Sequence, residues 1–226
     1  MTTWNLEELR NLVELIYGVE QKDRANIHIN SVDWKLWTAG YHLRQATQCI
    51  NQVTDLMNKA KHPIKVFLSS GEDNATMYEQ RHIYEANIIA AAQSTHSVSD
   101  IIAHAIYDCL NMSGVDQYEM NLKSVKSKLP KSELKDEVVS FLGRADFRYL
   151  QDFVNTTKHI SLVKTRSNVD LTKTPYEYEI NVDEFSCRGR SHQSKLGSVF
   201  LEEMSYLALH YINLGNAITE HLKKLC

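Results

Sequence analysis

Residues 31–60 read SVDWKLWTAGYHLRQATQCINQVTDLMNKA, and their apolar spacing decides the fold class. Leu36, Ala39, Leu43, Ala46, Ile50, Val53, Met57 and Ala60 recur at intervals of three and four, which gathers them on one face of an α-helix. Ser31 is the expected start, after a polar connection. The stripe ends just before Pro63, whose missing amide and fixed ring cost ~3 kcal/mol inside a helix.

Working outward, the same period recurs on both sides. Upstream, Leu6, Leu9, Leu12, Val13 and Ile16 form an amphipathic segment, with Asn5 as N-cap and Glu8 completing a capping-box pattern. Downstream, Ser69-Ser-Gly-Glu-Asp-Asn74 is turn chemistry. Residues 75–112 then contain neither Pro nor Gly, and Ile88, Ala92, Thr95, Ser99, Ile102, Ile106 and Leu110 line one side. A helix of that length spans roughly 55 Å at 1.5 Å per residue, with Ser94-Thr95 the place for any kink. Ser113-Gly114 closes it. A short helix around Tyr118–Leu129 stops at Pro130, and Ser132 caps a segment bearing Leu134, Val138, Phe141 and Leu142 that ends at Gly143. Ala145 to about His159 follows, with Phe147, Leu150, Phe153 and Val154 inward.

The period then changes from 3.6 to 2. Tyr176-Glu-Tyr-Glu-Ile-Asn-Val182 alternates as a half-buried strand does, with Ser161–Arg166 its expected antiparallel partner and Phe185–Arg190 an extension of the sheet. A last helix carries Phe200, Met204, Leu207, Tyr211, Leu214, Ile218 and Leu222. The expected architecture is mainly α: an antiparallel bundle of four to five long helices in a single domain over residues 1–226. A small β-hairpin insertion at about 160–190 precedes the C-terminal helix.

Composition narrows the function classes. Hydrophobic residues make up 43% and charged residues 23%, so a packed core rather than disorder is expected. Residues 1–120 carry 9 Lys/Arg against 15 Asp/Glu, and residues 121–200 carry 14 against 10, so the basic excess falls in the middle of the chain. Lys123, Lys126, Lys128, Lys131 and Lys135 read as a solvated face, without the interleaved aromatics of a single-strand binder. Cys49, Cys109, Cys187 and Cys226 form no CxxC pair, so neither a disulfide framework nor a zinc knuckle is expected. No signal-peptide pattern and no run of ~20 apolar residues is present, so a cytoplasmic protein with no membrane partner is expected.

Two constellations can carry chemistry. His96, Asp100 and His104 follow at intervals of four, and the drift of ~40° per step puts His96 at the edge of the apolar face and His104 nearly opposite it. His96 and Asp100 therefore make the better pair: a carboxylate one turn away can set the tautomer of an imidazole. The bland alternative is an exposed surface contact. A metal site is not expected, because Glu-x-x-His and HExxH patterns are missing, and no cofactor motif is present. The second constellation is Asn155-Thr-Thr-Lys158-His159, where a helix ends and the strands begin. The helix C-terminus favours a protonated imidazole there by ~0.3–1 kcal/mol. Here the bland alternative is that Lys158 and His159 cap the last carbonyls. Cys187-Arg-Gly-Arg-Ser-His192 also gathers a thiol, two arginines and a histidine, with no orienting acid identifiable nearby in sequence.

A helical bundle with Asn-x-x-x-His near the end of an inner helix resembles the HEPN superfamily, whose signature is Arg, a polar residue, then His. Asn155 matches the polar position and His159 the histidine, while Val154 stands where the family has Arg. The resemblance covers roughly residues 75–225 in architecture. It implies an RNA- or nucleotide-binding protein of bacterial defence or toxin type, a homodimer, and in catalytic members a metal-independent ribonuclease. On that reading His159 is the acid or base, Lys158 steadies phosphate charge, and His96 oriented by Asp100 is the second proton-transfer group. The alternative class is a non-catalytic interaction or dimerisation module in which the His/Asn cluster is structural.

Overall fold

The computed structural model describes residues 4–60, 66, 72–170, 172–173 and 175–226. The expected Pro63 helix stop and the Ser69–Gly71 part of the expected turn lie outside the described residues. In chain order the elements are α1 (Leu6–Tyr17), α2 (Val19–Lys59), α3 (Glu72–Cys109), a 3-10 turn (Gln117–Glu119), α4 (Leu122–Lys128), α5 (Glu133–Gly143) and α6 (Ala145–His159). Then come β1 (Thr165–Asp170), β2 (Glu177–Val182), β3 (Phe185–Cys187), β4 (Arg190–His192), β5 (Lys195–Leu196) and α7 (Gly197–Lys223). The chain is mainly α, with a small antiparallel strand set before the C-terminal helix. No helix among the described residues is long and apolar enough to cross a membrane.

By contacts the chain gathers into two compact units. The first comprises Met1–Thr38, Ser94–Arg148 and Tyr206–Cys226; the second comprises Ala39–Gln93 and Tyr149–Ser205. Helices α2, α3, α6 and α7 supply residues to both.

In the first unit the polar connection expected before Ser31 is helical. Gly18, at φ +88°, turns the chain between α1 and α2, and its N–H donates to the Glu14 carbonyl at 2.8 Å. Ala25, Ile29 and Val32 are fully buried at helical spacing, and Asn26 and Asn30 accept from Arg10 at 2.6 and 2.7 Å. The polar residues that read as a loop are thus the outer face of a helix paired to α1. Asn5 caps α1 by accepting from the Glu8 N–H at 3.1 Å, while the Glu8 carboxylate pairs with Lys223 at 2.8 Å. Ser132 caps α5 as expected, accepting from the Lys135 N–H. The core is closed by Phe141, whose ring packs on Phe147 and Tyr211 at 4.6 and 4.8 Å. Each such side chain contributes ~1.5–3 kcal/mol by leaving water.

In the second unit Ala39, Leu43, Ala46, Val53 and Met57 of the founding stripe are buried; Cys49 takes the inward place expected of Ile50, which is half-buried. Tyr178, Ile180 and Val182 alternate inward on β2, which lies between β1 and β5. The partner of β2 is Thr165–Asp170 rather than 161–166, in the register Thr165↔Val182 to Asp170↔Glu177. Residues 160 and 161 are spent on closing α6, both N–H groups donating to the Thr156 carbonyl at 3.0 Å, so the strand begins later. Residues 185–190 do not extend this sheet. β5 holds the other side of β2 through Asn181↔Leu196 and Val182↔Lys195, and Phe185–Cys187 pairs instead with Arg190–His192. Arg188 and Gly189, at φ +50° and +76°, make the two-residue turn with the twist that short hairpins favour.

Candidate functional site

The last turn of α6 sets the geometry around Asn155. Thr156 is buried and donates to the Asp152 carbonyl at 2.8 Å, and Thr157 donates to that of Phe153 at 3.0 Å. These back-bonds point the threonines at their own helix and leave the neighbouring positions to solvent. Asn155 is half-buried, whereas Lys158 and His159 are exposed and make no ion pair or side-chain hydrogen bond among the described residues. Val154, where the resemblance would expect Arg, is 1% exposed in the core. Beyond the helix end lies a hollow of ≈ 350 Å³, lined by Thr156, Ser161, Lys164, Arg166, Phe185 and Ser186 among others. Arg166 pairs with Asp183 at 3.0 Å; Lys164 has no ion pair among the described residues.

His96 and Asp100 belong to the first unit, and Asn155, Lys158 and His159 to the second. His96 is half-buried, its ring parallel to that of Phe147 at 6.3 Å, while Asp100 is exposed one turn on with Ser99 Oγ 3.5 Å from Oδ1. His104 departs from its expected outward place. It is half-buried and stacks on His28 at 4.8 Å, and His28 Nε2 lies 3.3 Å from Asp108 Oδ2. Burial first, then the neighbouring His28, holds the His104 imidazole below its usual range, whereas burial raises the Asp108 carboxyl. The helical reading of residues 19–30 is what reveals His28; as a loop residue it had no partner.

The constellation that sequence reading left without an acid finds one in Asp152. This carboxylate is fully buried. Arg190 donates to it through Nε at 2.8 Å and Nη2 at 2.6 Å, and His192 Nε2 lies 2.8 Å from Oδ2. Burial alone would raise the Asp152 pKa, but the Arg190 and His192 hydrogen bonds outweigh it and hold the group below the usual carboxylate range. The His192 ring stacks on Phe185 at 4.7 Å and meets the edge of Tyr149 at 5.2 Å, with Lys195 over the Tyr149 ring at 3.7 Å. Asp152 is 38 residues from Arg190, too far for any motif to join them. The only sequence signal was a lone acid on the inward face of α6. Chemically the cluster is a neutralised clamp that fixes the β3–β4 hairpin against α6, with the outer edge of Arg190 still turned to solvent. Among the described residues no group of three or more His, Cys, Asp or Glu side chains is arranged to hold a metal ion. Comparison with protein-family models, curated proteins and solved structures returns no match for this chain.

Proposed function

We propose that this chain is a HEPN-like helical protein that binds RNA or a nucleotide at the C-terminal end of α6. The observation that carries the reading is that Lys158 and His159 are exposed, with no ion pair or side-chain hydrogen bond among the described residues, in the helix turn whose Thr156 and following Ile160 line a hollow that offers Lys164, serine hydroxyls and the Phe185 ring. Phosphate is met by point charges and hydroxyls, and a base by an aromatic face; those are the two needs of a single-stranded ligand. Binding is better supported than cutting. Proton-transfer cleavage works best with two groups of separated pKa. His96, the second group proposed, is half-buried with its ring stacked on Phe147. In a nuclease form, His159 is the group placed to move a proton, as acid or base.

The test is fluorescence anisotropy with a short single-stranded RNA at several salt concentrations, with cleavage followed on the same samples. Lys158→Ala should weaken binding and flatten the salt dependence by about one unit in log–log slope. His159→Ala should abolish cleavage if any occurs. Absence of binding by wild type at low salt rejects the reading.

A second reading has its own observation. Leu15, Val19, Ile27, Trp34 and Trp37 of the first unit are 54–72% exposed, and the two indole rings stack at 5.4 Å. Large exposed apolar side chains along α1 and α2, two of them stacked, support an interaction module that self-associates through helix faces.

A further inference from the structure

A separate hollow of ≈ 230 Å³ lies in the second unit, where α3 faces residues 162–165. Its floor is apolar: Ile88 and Phe153 are 1% and 2% exposed, with Val163 also buried and Ile89 half-buried beside them. Its mouth is polar. Arg81 donates to Glu85 at 3.0 Å and to the Thr165 carbonyl at 2.7 Å, and the Thr165 hydroxyl donates to Glu85 as well. Lys164, exposed at the same mouth, has no ion pair among the described residues.

We propose that this hollow binds a small organic monoanion with an apolar body of about one ring, such as an aromatic carboxylate. Volume sets the size. An apolar cavity of ~150 Å³ accepts benzene, and sites for drug-sized ligands begin near ~300 Å³, so 230 Å³ suits a single substituted ring. Charge sets the headgroup. Arg81 and Glu85 cancel each other, which leaves the one positive charge of Lys164 at the rim. A second negative charge would have to enter an apolar floor without a partner, at a cost of several kcal/mol. That cost also separates this ligand from a nucleotide, whose phosphates carry more charge and whose bulk exceeds the space. The site shares Lys164 with the hollow at the end of α6 but uses neither Lys158 nor His159, so Lys158→Ala, which should weaken RNA binding, should leave benzoate binding unchanged and keeps the two readings distinguishable.

The full chain should be titrated with benzoate, phenylacetate, benzyl alcohol and benzylamine, by calorimetry and ligand-observed NMR. The two carboxylates should bind, the alcohol roughly fivefold more weakly, and the amine not detectably. Lys164→Ala, an exposed change that leaves the fold alone, should bring benzoate down to the affinity of the alcohol. Ile89→Trp, which fills the hollow from its half-buried wall, should remove binding of all four while thermal unfolding stays cooperative. If Ile89→Trp does not fold, Lys164→Ala decides alone. No binding of carboxylate by wild type, or equal carboxylate affinity in Lys164→Ala, overturns the proposal; so does retained binding in a folded Ile89→Trp protein.

Discussion

The fully buried Asp152 carboxylate shows how a single residue can hold two elements together. Its two Arg190 bonds and its His192 bond are charge-assisted, and such bonds contribute roughly twice as much as neutral ones. Asp152→Asn keeps the size but removes the charge and turns one acceptor into a donor facing Arg190 or His192. It should cost about 2 kcal/mol or more, a fall of roughly 5 °C in Tm for a chain of this length. The pH dependence has a definite sign. The folded-state pKa lies below the ordinary value of 3.8, so Asp152 stabilises the fold above that value, and the contribution is lost as pH falls through the folded pKa. Chemical denaturation should therefore show wild type well above Asp152→Asn at pH 6, with the two converging below pH ~4. A constant gap down to the acid limit would reject the ion-pair account.

Helix caps and stops follow local chemistry and were largely legible in the sequence, whereas the start of α2 lies at Val19 rather than at the expected Ser31. Asn5 and Ser132 cap the helices they were expected to cap, and α6 ends at His159. Two elements depend on glycine for different reasons. Gly18 turns between α1 and α2 at φ +88° and ψ 172°, an extended positive-φ conformation that glycine alone adopts readily, with open space around it, so Gly18→Ala costs about 1–3 kcal/mol of backbone strain without a clash. At the start of α7, a Cβ on Gly197 would run into both the Tyr84 hydroxyl and the Ile180 carbonyl. Because one obstacle is strand backbone, Gly197→Ala should destabilise the protein more than Gly18→Ala does. Urea unfolding of the two variants side by side tests the ranking. Strand boundaries were less legible: the alternation on β2 was plain, but its partner was displaced by four residues because the closing turn of α6 consumes Ile160 and Ser161.

For the molecule as a whole, the exposed Trp34 and Trp37 make assembly a testable property. Trp34→Glu puts a charge into that apolar face; if the face mediates self-association, sedimentation velocity at tens of micromolar should show a dimer for wild type and a monomer for the variant. Identical behaviour removes this face from consideration. The sequence by itself determined the helical class, the inward stripes of α3, α6, α7 and the second half of α2, and the switch to alternating strands. Periodicity is written along the chain, and each stripe must be buried somewhere. Only the tertiary structure decided which polar side chains meet. The stacking of His28 on His104 and the clamp of Asp152 by Arg190 and His192 join residues 76 and up to 40 positions apart. Such contacts depend on which helix faces pack together, and that is settled by the summed burial of many apolar residues, none of which marks its partner in the sequence.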